Sequence, residues 1–158
     1  MNLKIRSEER IYRDILQTDI QEKEEHFIQL QEIRLLSWLW REGQEDRFLP
    51  KYLVLASEQV QIHTTQLARL FEKEKYACNR IYGTLRRKVS LPKPHPYSWS
   101  WSTLPSFLAG NMRILTSDTI PRLLVAAGEV PLLTPGEIWL TGIVAQHARV
   151  ISVAVQWE

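Results

Sequence analysis

Leu91-Pro92-Lys93-Pro94-His95-Pro96-Tyr97-Ser98-Trp99-Ser100-Trp101-Ser102-Thr103-Leu104-Pro105 divides this chain of 158 residues into two parts of different chemistry. The alternation of Pro92, Pro94 and Pro96 removes three backbone donors and pushes the residues between them toward extended or polyproline II geometry. A semi-rigid connector is therefore expected over 91–107. Ahead of it, residues 1–90 hold 16 of the 20 Lys and Arg and 14 of the 18 Asp and Glu, so the last 68 residues hold only 8 charged side chains. A charge-rich, helix-periodic first part and a charge-poor, β-branched second part predict an α+β fold. Its parts are an N-terminal long helical hairpin over 1–90 and a small antiparallel β-sheet over 108–158, packed on the helices.

Within the first part, Ser7 can cap a helix whose first turn carries Glu8 and Glu9. Ile11, Ile15 and Leu16 give it an apolar stripe, and Thr18-Asp19-Ile20-Gln21 fits a capping box. Helical spacing of Ile28, Leu35, Leu36 and Leu39 predicts a helix over 19–41 that stops at Gly43. The run Tyr52-Leu53-Val54-Leu55 after Pro50 fits a short helix and a strand equally well. Val60, Leu67, Phe71, Cys78, Ile81 and Leu85 then mark one face of a second long helix reaching Lys88, antiparallel to the first.

Beyond Gly110 short strands are expected at 113–116 and 122–127. Thr134-Pro135-Gly136-Glu137 has the Pro-Gly centre of a type II turn. Longer strands are expected at 137–146 and 149–157, joined by a turn at His147 and Ala148. In the last of these, Ile151, Val153, Val155 and Trp157 alternate with more polar neighbours, as in a half-buried antiparallel strand.

Composition narrows the function. Apolar residues are 44% and charged residues 24% of the chain, and the net charge is +2, so wholesale polyanion binding is not implied. The single cysteine, Cys78, allows no intrachain disulfide and reads as a small buried hydrophobe. No segment approaches the ~18 apolar residues of a membrane span, and Met1 to Glu9 carry no secretory signal, which points to a soluble cytoplasmic protein without membrane contact. Trp38, Trp40, Trp139 and Trp157 read as core fillers.

The chemistry expected of an enzyme is missing. His26, His63, His95 and His147 lie far apart, none at ligand spacing, and neither a Gly-rich phosphate loop nor a Gly-x-Ser-x-Gly elbow is present. Asp118, Glu129, Glu137 and Glu158 are the acids of the second part, and no spacing singles one out. No metal, cofactor or small-molecule ligand is implied.

The strongest local signal is basic. Arg80, Arg86, Arg87, Lys88 and Lys93 fall within fourteen residues that contain no acid, interleaved with or followed by Tyr82, His95, Tyr97, Trp99 and Trp101. Cations for phosphates beside rings that stack on bases suit single-stranded nucleic acid, while the same cations also complement a helix C-terminus. These observations predict a non-catalytic accessory subunit that joins protein partners in a larger, nucleic-acid-containing assembly. Arg80, Arg86, Arg87, Lys88 and Lys93 would meet phosphates, and Tyr82, Tyr97, Trp99 and Trp101 would stack on bases or anchor a partner. Two alternatives stand beside it. The segment Thr65-Gln66-Leu67-Ala68-Arg69-Leu70-Phe71, with Arg80 to Arg87 as recognition helix, resembles a helix-turn-helix and implies a DNA-binding regulator using residues 65–87. The other is a small enzyme with no recognisable motif.

Overall fold

The computed structural model describes residues 27–45, 49–57, 59–87, 103–132 and 137–156. They form a four-stranded mixed sheet between two helical layers. In chain order the elements are α1 (Phe27–Glu45), β1 (Tyr52–Ala56), α2 (Thr64–Lys73), β2 (Arg80–Arg86), β3 (Phe107–Thr116), α3 (Ile120–Glu129), a π-helix (Ile138–Val144) running into the short α4 (Ala145–His147), and β4 (Ile151–Ala154). The strand order is β1-β3-β2-β4. β3 is antiparallel to β1 and β2, whereas β4 runs parallel to β2. Three of the four strands therefore point their carboxyl ends at one edge of the sheet.

Strand alternation assigns the two faces. Leu53, Leu55, Ile81, Leu108 and Leu115 meet Leu36 of α1, Leu123 of α3 and Trp139 and Leu140 of the π-helix. Tyr52, Val54, Tyr82, Ile114 and Val153 meet Leu67, Leu70 and Phe71 of α2 on the opposite face. Each large aliphatic side chain so buried contributes about 1.5–3 kcal/mol before the cost in entropy. Trp139 is 2% exposed and its Nε1 donates to the Pro131 carbonyl at 2.9 Å, so its one polar atom is satisfied in the core.

The expected N-terminal hairpin is not formed. The helix expected over 60–88 ends at Lys73, and the two helices that were to pair lie on opposite faces of the sheet. Asn79 adopts φ 55°, and the chain from Arg80 is strand. Ile81 and Tyr82 face opposite layers, the two-residue period of a strand. α1 runs past Gly43 to Glu45, and Tyr52–Ala56 resolves as strand rather than helix.

In the second part, the strand expected at 122–127 is α3, with Pro121 in its first turn, where a missing N–H costs nothing. The strand expected at 137–146 is the π-helix, buried on all sides. The packing at Gly142 is close: an added Cβ would stand 3.2 Å from Phe107 Cβ and 3.4 Å from the Ser106 carbonyl oxygen, so these neighbours would have to give by a few tenths of an ångström. The last strand is shorter than expected and parallel to its neighbour, and its Ile151 is 53% exposed. Cys78 is exposed, not buried. The helices expected before residue 27, most of the connector over 91–107, the turn residues 134–136 and Trp157 lie outside the described residues.

Candidate active site

The ladder between β2 and β3 is interrupted. Tyr82 pairs with Ile114 and Thr84 with Ala109, so two steps along β2 correspond to five along β3. The surplus bows out at Gly110, whose φ of +102° suits glycine, and runs through Asn111 to Arg113. β1 stays in register here, with Leu55 opposite Arg113 and Ala56 opposite Met112. The Ser57 N–H donates to the Asn111 carbonyl at 2.8 Å and fixes the end of β1 against the bulge.

A cleft of about 670 Å³ opens at this place. Its walls are Gln31, Glu32 and Leu35 of α1, the end of β1 with Ser57, the bulge residues Gly110, Asn111 and Arg113, and Glu137 at the head of the π-helix. Concave sites at the carboxyl ends of strands are where α/β sheets commonly bind ligands.

Three charged groups meet in the cleft. Arg113 shares the sheet face of Leu55, toward α1, and its Nη2 forms an ion pair with Glu32 Oε1. The two side chains are 10% and 17% exposed. Arg113 Nη1 and Glu32 Oε2 are buried and, among the described residues, lack a hydrogen-bond partner. Burial raises the Glu32 carboxyl above the usual carboxylate range, opposed by Arg113 and reinforced by the negative charge of Glu137.

Glu137 is half-buried. Among the described residues no hydrogen bond or ion pair engages its carboxylate. Its backbone is anchored through Thr141, whose hydroxyl accepts from the Leu108 N–H at 2.9 Å and lies 2.6 Å from the Glu137 carbonyl oxygen and 3.0 Å from that of Leu108. One buried hydroxyl thus ties the head of the π-helix to β3. With two carboxylates and one guanidinium, the cleft can orient hydroxyl-bearing ligands and accept a proton. Among the described residues no group of three or more His, Cys, Asp or Glu side chains converges on one point.

The chain matches the family model described as Galactosyltransferase over residues 1–156. It belongs to the galactosyltransferase family. A search among curated proteins finds no match. Membership overturns the non-catalytic assembly subunit and the helix-turn-helix regulator, and with them the nucleic-acid-binding role: the family is one of glycosyl-transferring enzymes. The cytoplasmic location does not stand either, because galactosyltransferase family members are typically enzymes of the Golgi or another membrane-bounded lumen. No helix among the described residues is long and apolar enough to cross a membrane.

Of the basic and aromatic residues singled out from the sequence, Arg80, Tyr82, Arg86 and Arg87 are described, and none of them lines the cleft. Arg80 starts β2 and Arg86 ends it, so the run is divided between opposite edges of the sheet. Arg80 is paired with Glu74, while Arg86 and Arg87 are exposed. Tyr82 is 1% exposed beneath α2, and its hydroxyl lies 3.2 Å from Glu74 Oε2. Its pKa is pushed up to about 12, chiefly by burial. Lys88, Lys93, Tyr97, Trp99 and Trp101 lie outside the described residues. The segment 80–87, expected as a recognition helix, is strand up to Arg86. The cleft residues Glu32 and Arg113 carried no signal in the sequence, since 81 positions separate them. Glu137 was visible only as one of four scattered acids.

Proposed function

We propose that the cleft between α1, the end of β1, the β3 bulge and Glu137 transfers a galactosyl group from a nucleotide-activated donor to a hydroxyl of an acceptor. In that reaction the bond from the sugar C1 to the leaving phosphate oxygen breaks and a bond from C1 to the acceptor oxygen forms. The acceptor's proton passes to Glu137. General-base assistance of this kind supplies about 10²–10⁴-fold in rate.

One observation carries the assignment of the base. Of the two carboxylates in the cleft, Glu32 is committed to Arg113, whereas Glu137 keeps its carboxylate unengaged among the described residues. Thr141 supports the role from behind, because it anchors the backbone at Glu137 to β3. A base must sit within hydrogen-bond reach of its proton, and a rigid mount shortens that search. The test is a transfer assay on the full chain with UDP-galactose and a panel of mono- and disaccharide acceptors, following UDP release and the galactosylated product. Product formation above the enzyme-free rate is expected. Failure to consume the donor with every acceptor and to hydrolyse it in their absence contradicts the proposal.

A further inference from the structure

Glu137 stands at the head of a helix, and helix ends fray. It has helical backbone angles, φ −61° and ψ −42°, and among the described residues the head of the π-helix carries no side-chain cap. A carboxylate at this place is able to accept from the first free N–H groups of its helix. This one does not, which leaves it for chemistry and leaves the head to be fixed by other bonds. Two bonds do so. One is Thr141, whose hydroxyl lies 2.6 Å from the Glu137 carbonyl oxygen. The other is Trp139, whose indole N–H donates to the Pro131 carbonyl at 2.9 Å. Pro131 comes after α3 and ahead of Glu137, so this second bond ties the chain that leads into the π-helix to the helix itself. A swing of the head away from the core has to break that bond or drag Pro131 along.

The ring and the N–H of Trp139 serve different ends. The ring is 2% exposed and belongs to the core cluster of Leu36, Leu123 and Val144, where a phenyl ring would fill most of the same space. Only the indole adds the donor. Pro131 is exposed, so water can replace the indole at its carbonyl, and the bond then counts for little in folding. It counts for more in aim, because a displacement of about 1 Å at a reacting group costs as much as ~10²-fold in rate. We infer that Trp139 is a positioning residue for the transfer reaction: its indole N–H, bonded to the Pro131 carbonyl, holds the head of the π-helix so that the Glu137 carboxylate meets the acceptor's proton. The inference rests on the transferase reading with Glu137 as base. It adds a residue that touches neither substrate and acts through Glu137 alone.

The experiment compares the full chain as wild type, Trp139→Phe, Glu137→Gln and the double variant. Each is assayed with UDP-galactose and a sugar that the wild type accepts, for kcat and for the KM of both substrates, alongside melting temperature and amide hydrogen exchange. Trp139→Phe should lower kcat about tenfold, leave both KM values within about twofold and speed exchange at the Glu137 and Ile138 amides. In the Glu137→Gln background the same substitution should lower kcat by no more than about twofold, since residues that act as one unit do not add. A purely structural role would lower both backgrounds alike. If Trp139→Phe does not fold, benzothienylalanine at position 139, which keeps the bicyclic shape and carries sulfur in place of the N–H, is read in the same way.

An active wild type whose folded Trp139 variant keeps its kcat, or loses the same factor with and without the Glu137 carboxylate, overturns this inference and leaves the transferase reading standing. A wild type that transfers no galactose overturns the transferase reading, and the role of Trp139 with it.

Discussion

The two edges of the sheet handle polar groups in opposite ways. At the edge where β1 begins, the polar groups of Tyr52, Glu74, Asn79, Arg80 and Thr116 are tied together by hydrogen bonds and an ion pair. The Asn79 N–H donates to Asp118 Oδ2 at 2.7 Å and its Nδ2 to the Arg149 carbonyl at 2.9 Å. The Arg80 N–H donates to Thr116 Oγ1 at 3.0 Å, Arg80 pairs with Glu74, and the Tyr52 hydroxyl donates to the Glu74 carbonyl. Asn79 Oδ1 is the one atom left over in that set. At the edge where β1 ends, a donor and an acceptor of one buried ion pair go unmatched beside a cavity, and a second carboxylate stands unengaged among the described residues. The first edge uses polarity to join α2, the sheet and the chain around α3. The second leaves polar atoms unmatched, at a cost in stability.

Mutations should break the comparison unequally. Arg113→Met leaves Glu32 buried without its partner and should destabilise the protein by about 3–5 kcal/mol, read as a drop in denaturation midpoint. Adding Glu32→Leu to it should recover most of that loss, since a buried pair replaced by apolar groups is often neutral or stabilising. A double variant that stays as unstable as Arg113→Met would mean the pair is structural. Thr141→Val keeps the shape but orphans the buried Leu108 N–H, for about 1–3 kcal/mol, and should lower turnover more than donor affinity because it loosens the mount of Glu137.

On the opposite edge, Glu74→Gln should shift the denaturation midpoint far less than Arg113→Met, because Arg80 is 36% exposed and its pair is screened, and it should leave turnover unchanged. The smallest effect is one of slope. Burial raises the Glu32 pKa above 4.5, so the folded chain holds that proton more tightly than the unfolded one. The stability this provides is complete below the unfolded value and is lost as pH rises through the folded one. The melting temperature of the wild type relative to Glu32→Gln should therefore fall as pH rises from acid toward neutral.

The fold read from the sequence, a helical hairpin followed by an antiparallel sheet, was not the one formed: the sheet is mixed and draws β1 and β2 from the charge-rich part. What was legible was local: Tyr52–Ala56 as one of two options, part of β3, and a terminal strand at Ile151–Ala154. Ile81 and Leu85 fit a helical stripe as well as they fit alternate strand positions, and only Tyr82 under α2 separates the two. Ile138 to Val144 misled because an element buried on all sides has no polar face, and its Ile, Trp and Val content resembles a strand. In α3 the signal was present, since Pro121 marks a helix start more specifically than the apolar run after it marks a strand. The site was not legible, because Glu32, Arg113 and Glu137 are brought together by the sheet and by a bulge that no local pattern announces. The basic run drew attention through its proximity in sequence, and a strand separates Arg80 from Arg86 in space.

The central claim is that Glu137 takes the acceptor's proton. The most direct test is the turnover of Glu137→Gln against wild type with UDP-galactose and an accepted sugar, alongside thermal melts of both proteins. A fall in kcat of about 10²–10⁴-fold, with donor KM and melting temperature essentially unchanged, is the predicted result. A folded Glu137→Gln that keeps more than about a tenth of wild-type turnover would contradict it, being far above what loss of a general base allows.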